Sequence, residues 1–109
     1  MALTHASSGQ ALNLQPLGPD LHRAQSSALV KARDLELVRL VLPQGKTLPA
    51  HSVPGDITLL CLEGVVEVQA GGVSRLLETG QLMYLAGGVS HALRALIDAS
   101  LLLTIALRR

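Results

Sequence analysis

Turn-forming residues interrupt this chain at intervals too short for long helices. Pro16, Gly18 and Pro19 are followed by Pro43, Gly45, Pro49, Pro54, Gly55, Gly64, the Gly71-Gly72 pair, Gly80 and the Gly87-Gly88 pair. Most segments between them have the length of a strand, and Gly and Pro are the residues that end regular structure locally. The spacing predicts an all-β sandwich or barrel of short strands. At 109 residues there is room for a single domain. We assign it to residues 11–109 and expect 1–10, which is small and polar, to form a flexible N-terminal tail.

The centre of the chain carries the clearest β pattern. Ile57 to Leu62 is a short apolar run stopped by Gly64, and Val65 to Ala70 and Val73 to Leu77 flank Gly71-Gly72 as a hairpin. The flanks compete with this pattern, because Lys31 to Leu42 and His91 to Leu107 are rich in Leu, Ala and Arg, which are good helix formers.

Charge and composition exclude several classes of partner. The formal net charge is +1 with 16% charged residues, so no basic stripe neutralises phosphates and nucleic acid is not expected. Tyr84 is the sole aromatic residue, too little to build a stacking platform for sugars or bases. The single Cys61 cannot close an intramolecular disulfide, in keeping with a cytoplasmic location. The first basic residue is Arg23, so the start lacks the charge of a signal peptide. The apolar stretch Leu101 to Leu107, broken by Thr104, falls far short of the ~18–20 residues that cross a membrane. P-loop, GxSxG, HExxH and CxxC motifs are absent.

Two segments keep a recognisable spacing. In the first, Gly45 is followed after five residues by His51, Ser52 and Val53, then after three by Ile57 and after six by Gly64. In the second, Gly80 is followed after five residues by Ala86, Gly87 and Gly88, then after two by His91 and after three by Ala95. These frames resemble the two motifs of the cupin superfamily, in its small, single-domain, RmlC-like conserved-barrel type. The fifteen residues 65–79 between them match the smallest members. The resemblance implies a cupin-type antiparallel jelly-roll β-barrel, also called a double-stranded β-helix. The Leu-rich flanks then become strands, since tertiary context overrides propensity.

The resemblance also implies that His51 and His91 point into the barrel, where neutral imidazoles can ligate a divalent metal such as Zn, Fe, Mn or Ni. The departures cut against a full metal shell. Val53 stands in the slot of the family's second His, Ile57 in that of its Glu, Ala86 in that of its Pro and Ala95 in that of its Asn. Asp56 and Thr58 have the wrong strand parity to replace Ile57. Cys61 has the right parity but lies about 13 Å further along the strand. Two His fall short of the three protein ligands of catalytic zinc and of the two-His, one-carboxylate iron site.

The expected ligand pocket is therefore oily: His51, His91, Val53, Ile57, Leu59, Cys61 and Leu93, with Met83 or Tyr84, of which alternation admits only one. Such a pocket suits a small, largely apolar organic molecule. His5 and His22 are expected in solvent without a role, and Arg94 on the outer face. Three functions stay open. One is a metal-free or weakly metal-binding ligand site, and another a divalent-metal oxygenase or isomerase. The third is a homodimeric regulatory or structural module paired through outward positions such as Leu60, Leu62, Leu102 and Ile105.

Overall fold

The computed structural model describes residues 5–107. Nine strands fill most of that span: β1 Ser27–Lys31, β2 Leu35–Leu42, β3 Thr47–His51, β4 Ile57–Glu63, β5 Val65–Ala70, β6 Val73–Glu78, β7 Leu82–Leu85, β8 His91–Ala95 and β9 Ala99–Ala106. One 3-10 helix, Gly18–Arg23, precedes them. The strands form a five-stranded sheet in the order β1-β2-β9-β4-β7 and a four-stranded sheet in the order β3-β8-β5-β6. All pairings are antiparallel. This is the expected jelly roll. No helix among the described residues is long and apolar enough to cross a membrane.

Both flanks with helical propensity are strands. β2 and β9 pair without interruption from Leu35 opposite Ala106 to Leu42 opposite Ala99. On one face of this ladder Leu40 and Leu42 stand with Leu101 and Ala99, and on β4 the paired positions are Leu59, opposite Leu103, and Cys61, opposite Leu101. These side chains meet Val66, Val68, Leu77, Leu93 and Ala95 from the other sheet in one core cluster. Burying each large aliphatic side chain stabilises by about 1.5–3 kcal/mol, which outweighs the few tenths per residue at stake in helix propensity.

Two close approaches explain particular glycines. Gly64 has φ +87°, and a Cβ there would collide with the Asp98 carbonyl oxygen and lie 2.7 Å from Ala99 Cα. The turn from β4 to β5 thus passes directly over the start of β9. At Gly87 a Cβ would strike the Pro54 carbonyl. That contact is reinforced by Gly88 N–H donating to Val53 O at 2.8 Å and Gly87 N–H to Asp56 Oδ1 at 2.8 Å. The 52–56 and 86–90 loops are laced together, and they deliver β4 and β8 to the same end of the barrel.

The outer face of the five-stranded sheet carries a buried polar cluster under the N-terminal segment. The Glu63 carboxylate accepts Leu17 N–H at 2.9 Å, Gly18 N–H at 3.0 Å and the Ser100 hydroxyl. Arg39 Nη2 donates to Gln15 O at 2.8 Å and to Ser100 Oγ at 3.1 Å. Leu21, from the 3-10 helix, is 1% exposed. Earlier in the chain, Ala6 N–H donates to Leu29 O on β1 at 2.8 Å and Ser7 N–H to Gln10 Oε1 at 3.1 Å. Residues 1–4 of the expected tail lie outside the described residues.

Candidate functional site

β3 and β8 bring together the two histidines that are forty positions apart in sequence. His51 is the direct cross-strand partner of His91, and residues directly opposite in an antiparallel pair project from the same face. Their ring centroids are 4.5 Å apart with the planes tilted by 54°. His91 is buried and begins β8, whereas His51 ends β3 and is exposed at the rim. The pair therefore runs from the interior to the mouth of the barrel.

Both rings are held by local carbonyls. His91 Nδ1 lies 3.1 Å from Val89 O, and His51 Nδ1 lies 3.3 Å from Pro49 O. A carbonyl only accepts, so each Nδ1 carries the hydrogen. In the neutral ring Nε2 is then left with its lone pair. Each imidazole presents an acceptor, or a ligating nitrogen, whose orientation is fixed by the backbone two residues upstream.

The remaining residues expected in the pocket divide into three groups. Leu59, Cys61 and Leu93 are 1%, 1% and 4% exposed and belong to the packed core, so the barrel is filled with side chains at their level. Cys61 Sγ also points to Glu63 O and Gly64 O, each at 3.4 Å, and burial pushes its thiol up from its ordinary value. Val53 is half-buried in the 52–56 loop, and Ile57 is buried at the start of β4.

Met83 and Tyr84 separate as alternation requires. Met83 pairs with Leu59 and packs against the core. Tyr84 pairs with Thr58, projects outward and is 61% exposed, which removes it from the interior. It borders a small outer recess of about 160 Å³ with Leu35, Thr58 and Thr104. Ile105 also departs from its expected place. It stands opposite Ile57 in register and so shares the inward face, while Leu60 and Leu102 pair on the outer one. Leu62 is half-buried.

Other positions hold structural contacts. Asp56 receives the Gly87 amide rather than facing the imidazoles. His22 Nε2 is 2.6 Å from Asp98 Oδ2 while remaining 63% exposed. Arg94 pairs with Glu67 at 3.4 Å on the outer face. His5 is exposed.

A divalent metal, which the resemblance implies, needs donors that this mouth does not supply. No group of three or more His, Cys, Asp or Glu among the described residues is placed to hold one. Val53 and Ile57 offer aliphatic carbon in the two other slots. The two imidazoles fall short of the donor set of a resident catalytic metal.

Sequence reasoning missed Glu36. It lies in the Leu-rich flank whose composition competes for a helix, and the signal that finds it is the alternation of Glu36, Val38, Leu40 and Leu42 on one face of β2. By register it stands in a row with Ile105 and Ile57 across the five-stranded sheet.

Compared with known families, residues 38–105 match the cupin domain. No curated protein matches the chain in sequence. Among solved structures, a conserved protein of unknown function from Streptococcus pyogenes is 25% identical, with all of this chain and 99% of that one aligned at a TM-score of 0.78. A cupin superfamily protein from Desulfitobacterium hafniense is 15% identical over 91% of this chain and 100% of that one, TM-score 0.75. A salicylate 1,2-dioxygenase variant from Pseudoaminobacter salicylatoxidans is 18% identical over 74% of this chain and 25% of that one, TM-score 0.70. The last two show a shared fold.

Proposed function

The chain belongs to the cupin domain family, and on that premise we propose that it binds a small, largely apolar organic molecule at the barrel mouth, beside His51 and His91. The reading is carried by the close, tilted imidazole pair, whose Nδ1 atoms are both committed to carbonyls. Two Nε2 acceptors suit a ligand that brings one or two hydrogen-bond donors on a mostly hydrocarbon frame. Ile57 supplies aliphatic surface on the facing sheet, in place of the acid that a metal would need. Below the mouth the packed core closes the barrel, so the ligand is small.

The role of the histidines in this reading is positional. Each N–H donated to a carbonyl fixes a tautomer, and a fixed acceptor costs less ordering on binding than a free one. His91, buried, holds the inner end of the ligand, and His51, at the rim, its outer end.

The test is a titration of 15N-labelled protein with butan-1-ol, followed through the imidazole nitrogens. Before ligand, both rings should show a protonated Nδ1 and a bare Nε2. Saturable movement of both Nε2 signals is the expected result, together with backbone amide shifts around the mouth that are lost in the His51→Ala/His91→Ala double variant. Rings with the opposite tautomer, or Nε2 signals indifferent to the alcohol, would overturn the reading.

A further inference from the structure

We infer that Glu36 is the charged anchor of this same site, and that its natural ligand carries a cationic amine as well as a hydroxyl or similar donor. The inference rests on the ligand-site reading above and adds the ligand's charge to it.

Three features place Glu36 across the mouth from the histidines. The first is its face. Glu36 pairs with Ile105, which pairs with Ile57; Ile57 is buried, and two positions along, Val38 pairs with Leu103 and Leu103 with Leu59 of the core. The uninterrupted β2–β9 register carries that inward face out to Glu36.

The second feature is its end of the barrel. β2 and β3 are joined by a tight turn in which Gly45 N–H donates to Ala95 O and Ala95 N–H to Lys46 O. The Leu42 end of β2 thus sits by the Ala95 end of β8. The opposite ends, Glu36 on one sheet and His51 and His91 on the other, share the other rim. Packed sheets stand about 10 Å apart, so the Glu36 carboxylate and the two imidazoles lie within the span of one short molecule.

The third is its lack of a partner. Glu36 is half-buried, and among the described residues it makes no ion pair or side-chain hydrogen bond. Its register partner on β1, Lys31, is exposed. A carboxylate partly withdrawn from water without a partner is costly, and a ligand cation removes that cost. Because Glu36 and the histidines do not form a three-donor metal group, what bridges them is a molecule rather than an ion. All three groups accept hydrogen bonds, so the complement is a short amino alcohol or a similar donor-bearing amine.

Three probes of matched length test this: 4-amino-1-butanol, butan-1-ol and 4-hydroxybutanoate, each titrated against the His51 and His91 nitrogens. The expected order is cation tightest, neutral next and anion weakest. The preference for the cation over butan-1-ol should be about tenfold, as one charge-assisted contact gives. Glu36→Gln should collapse that preference to unity. In unmodified protein, added salt should narrow it, a readout that does not depend on the variant folding. Equal affinities for the three probes, or tighter binding of the anion, would overturn the role of Glu36 while the histidine response stands. Silence of both rings toward all three probes would overturn the site itself, and Glu36 with it.

Discussion

His51 and His91 share one face of the β3–β8 pair with their rings 4.5 Å apart, yet one is exposed and the other buried. The inequality gives them different structural weight. His91→Ala removes a buried ring from beneath the mouth and should lower stability by about 1–3 kcal/mol, the range for losing a buried polar group together with its packing. His51→Ala, at the rim, should fall within about 0.5 kcal/mol of the parent. Urea unfolding of the two single variants measures both, and equal losses would contradict the placement.

Gly64 and Gly80 both adopt positive φ, +87° and +85°, but only Gly64 is crowded. Gly80→Ala meets open space and should cost about 1–2 kcal/mol for the left-handed backbone alone. Gly64→Ala adds a collision with the Asp98 carbonyl and with Ala99, so its unfolding midpoint should drop well below that of Gly80→Ala. The comparison isolates the close approach from backbone strain common to the two sites.

Glu63 ties the N-terminal segment to the sheet, and its ionisation should be visible in acid. Desolvation alone would raise its pKa, but the amides of Leu17 and Gly18, the Ser100 hydroxyl and the Arg39 guanidinium together hold it below the ordinary 4.5. A carboxyl whose folded value is depressed favours the folded state above its unfolded value, and that contribution disappears as the pH falls through the folded value. Glu63→Gln should therefore cost about 1–3 kcal/mol at pH 7, and the gap to the parent should narrow below pH 4.5. Urea midpoints of both proteins at neutral and acid pH supply the check.

The barrel was legible in this sequence because its turns are written in Gly and Pro at positions where other residues do not fit, Gly64 and Gly87 above all. His51 and His91 followed from the same frames. Tyr84 and Met83 did not, because alternation says that neighbours part company but not which goes in; that depends on how β7 registers with β4. Leu102 and Ile105 were grouped on an outer surface although three positions along a strand change face. Glu36 was hidden by the Leu-rich flank, in which helical propensity masks a period of two. The Glu63 cluster depends on contacts between residues 46 positions apart, and no local pattern announces them.

Cys61 offers a chemical probe of the core. It is 1% exposed, its sulfur faces two carbonyl oxygens, and burial is the main cause raising its pKa above the ordinary 9.0. Thiol alkylation requires both access and thiolate, so in the native state iodoacetamide should modify Cys61 only through opening of the barrel, at rates orders of magnitude below those of the urea-unfolded chain. The raised value also has a sign for stability: the neutral thiol favours the folded state below pH 9.0, and that advantage fades as the pH climbs through the folded value. Because Cys61 sits between Leu59 and the Gly64 turn, Gly64→Ala should speed its alkylation in proportion to the lost stability. Rapid labelling of the parent at neutral pH would show that the core around Leu59, Cys61 and Leu101 is not closed.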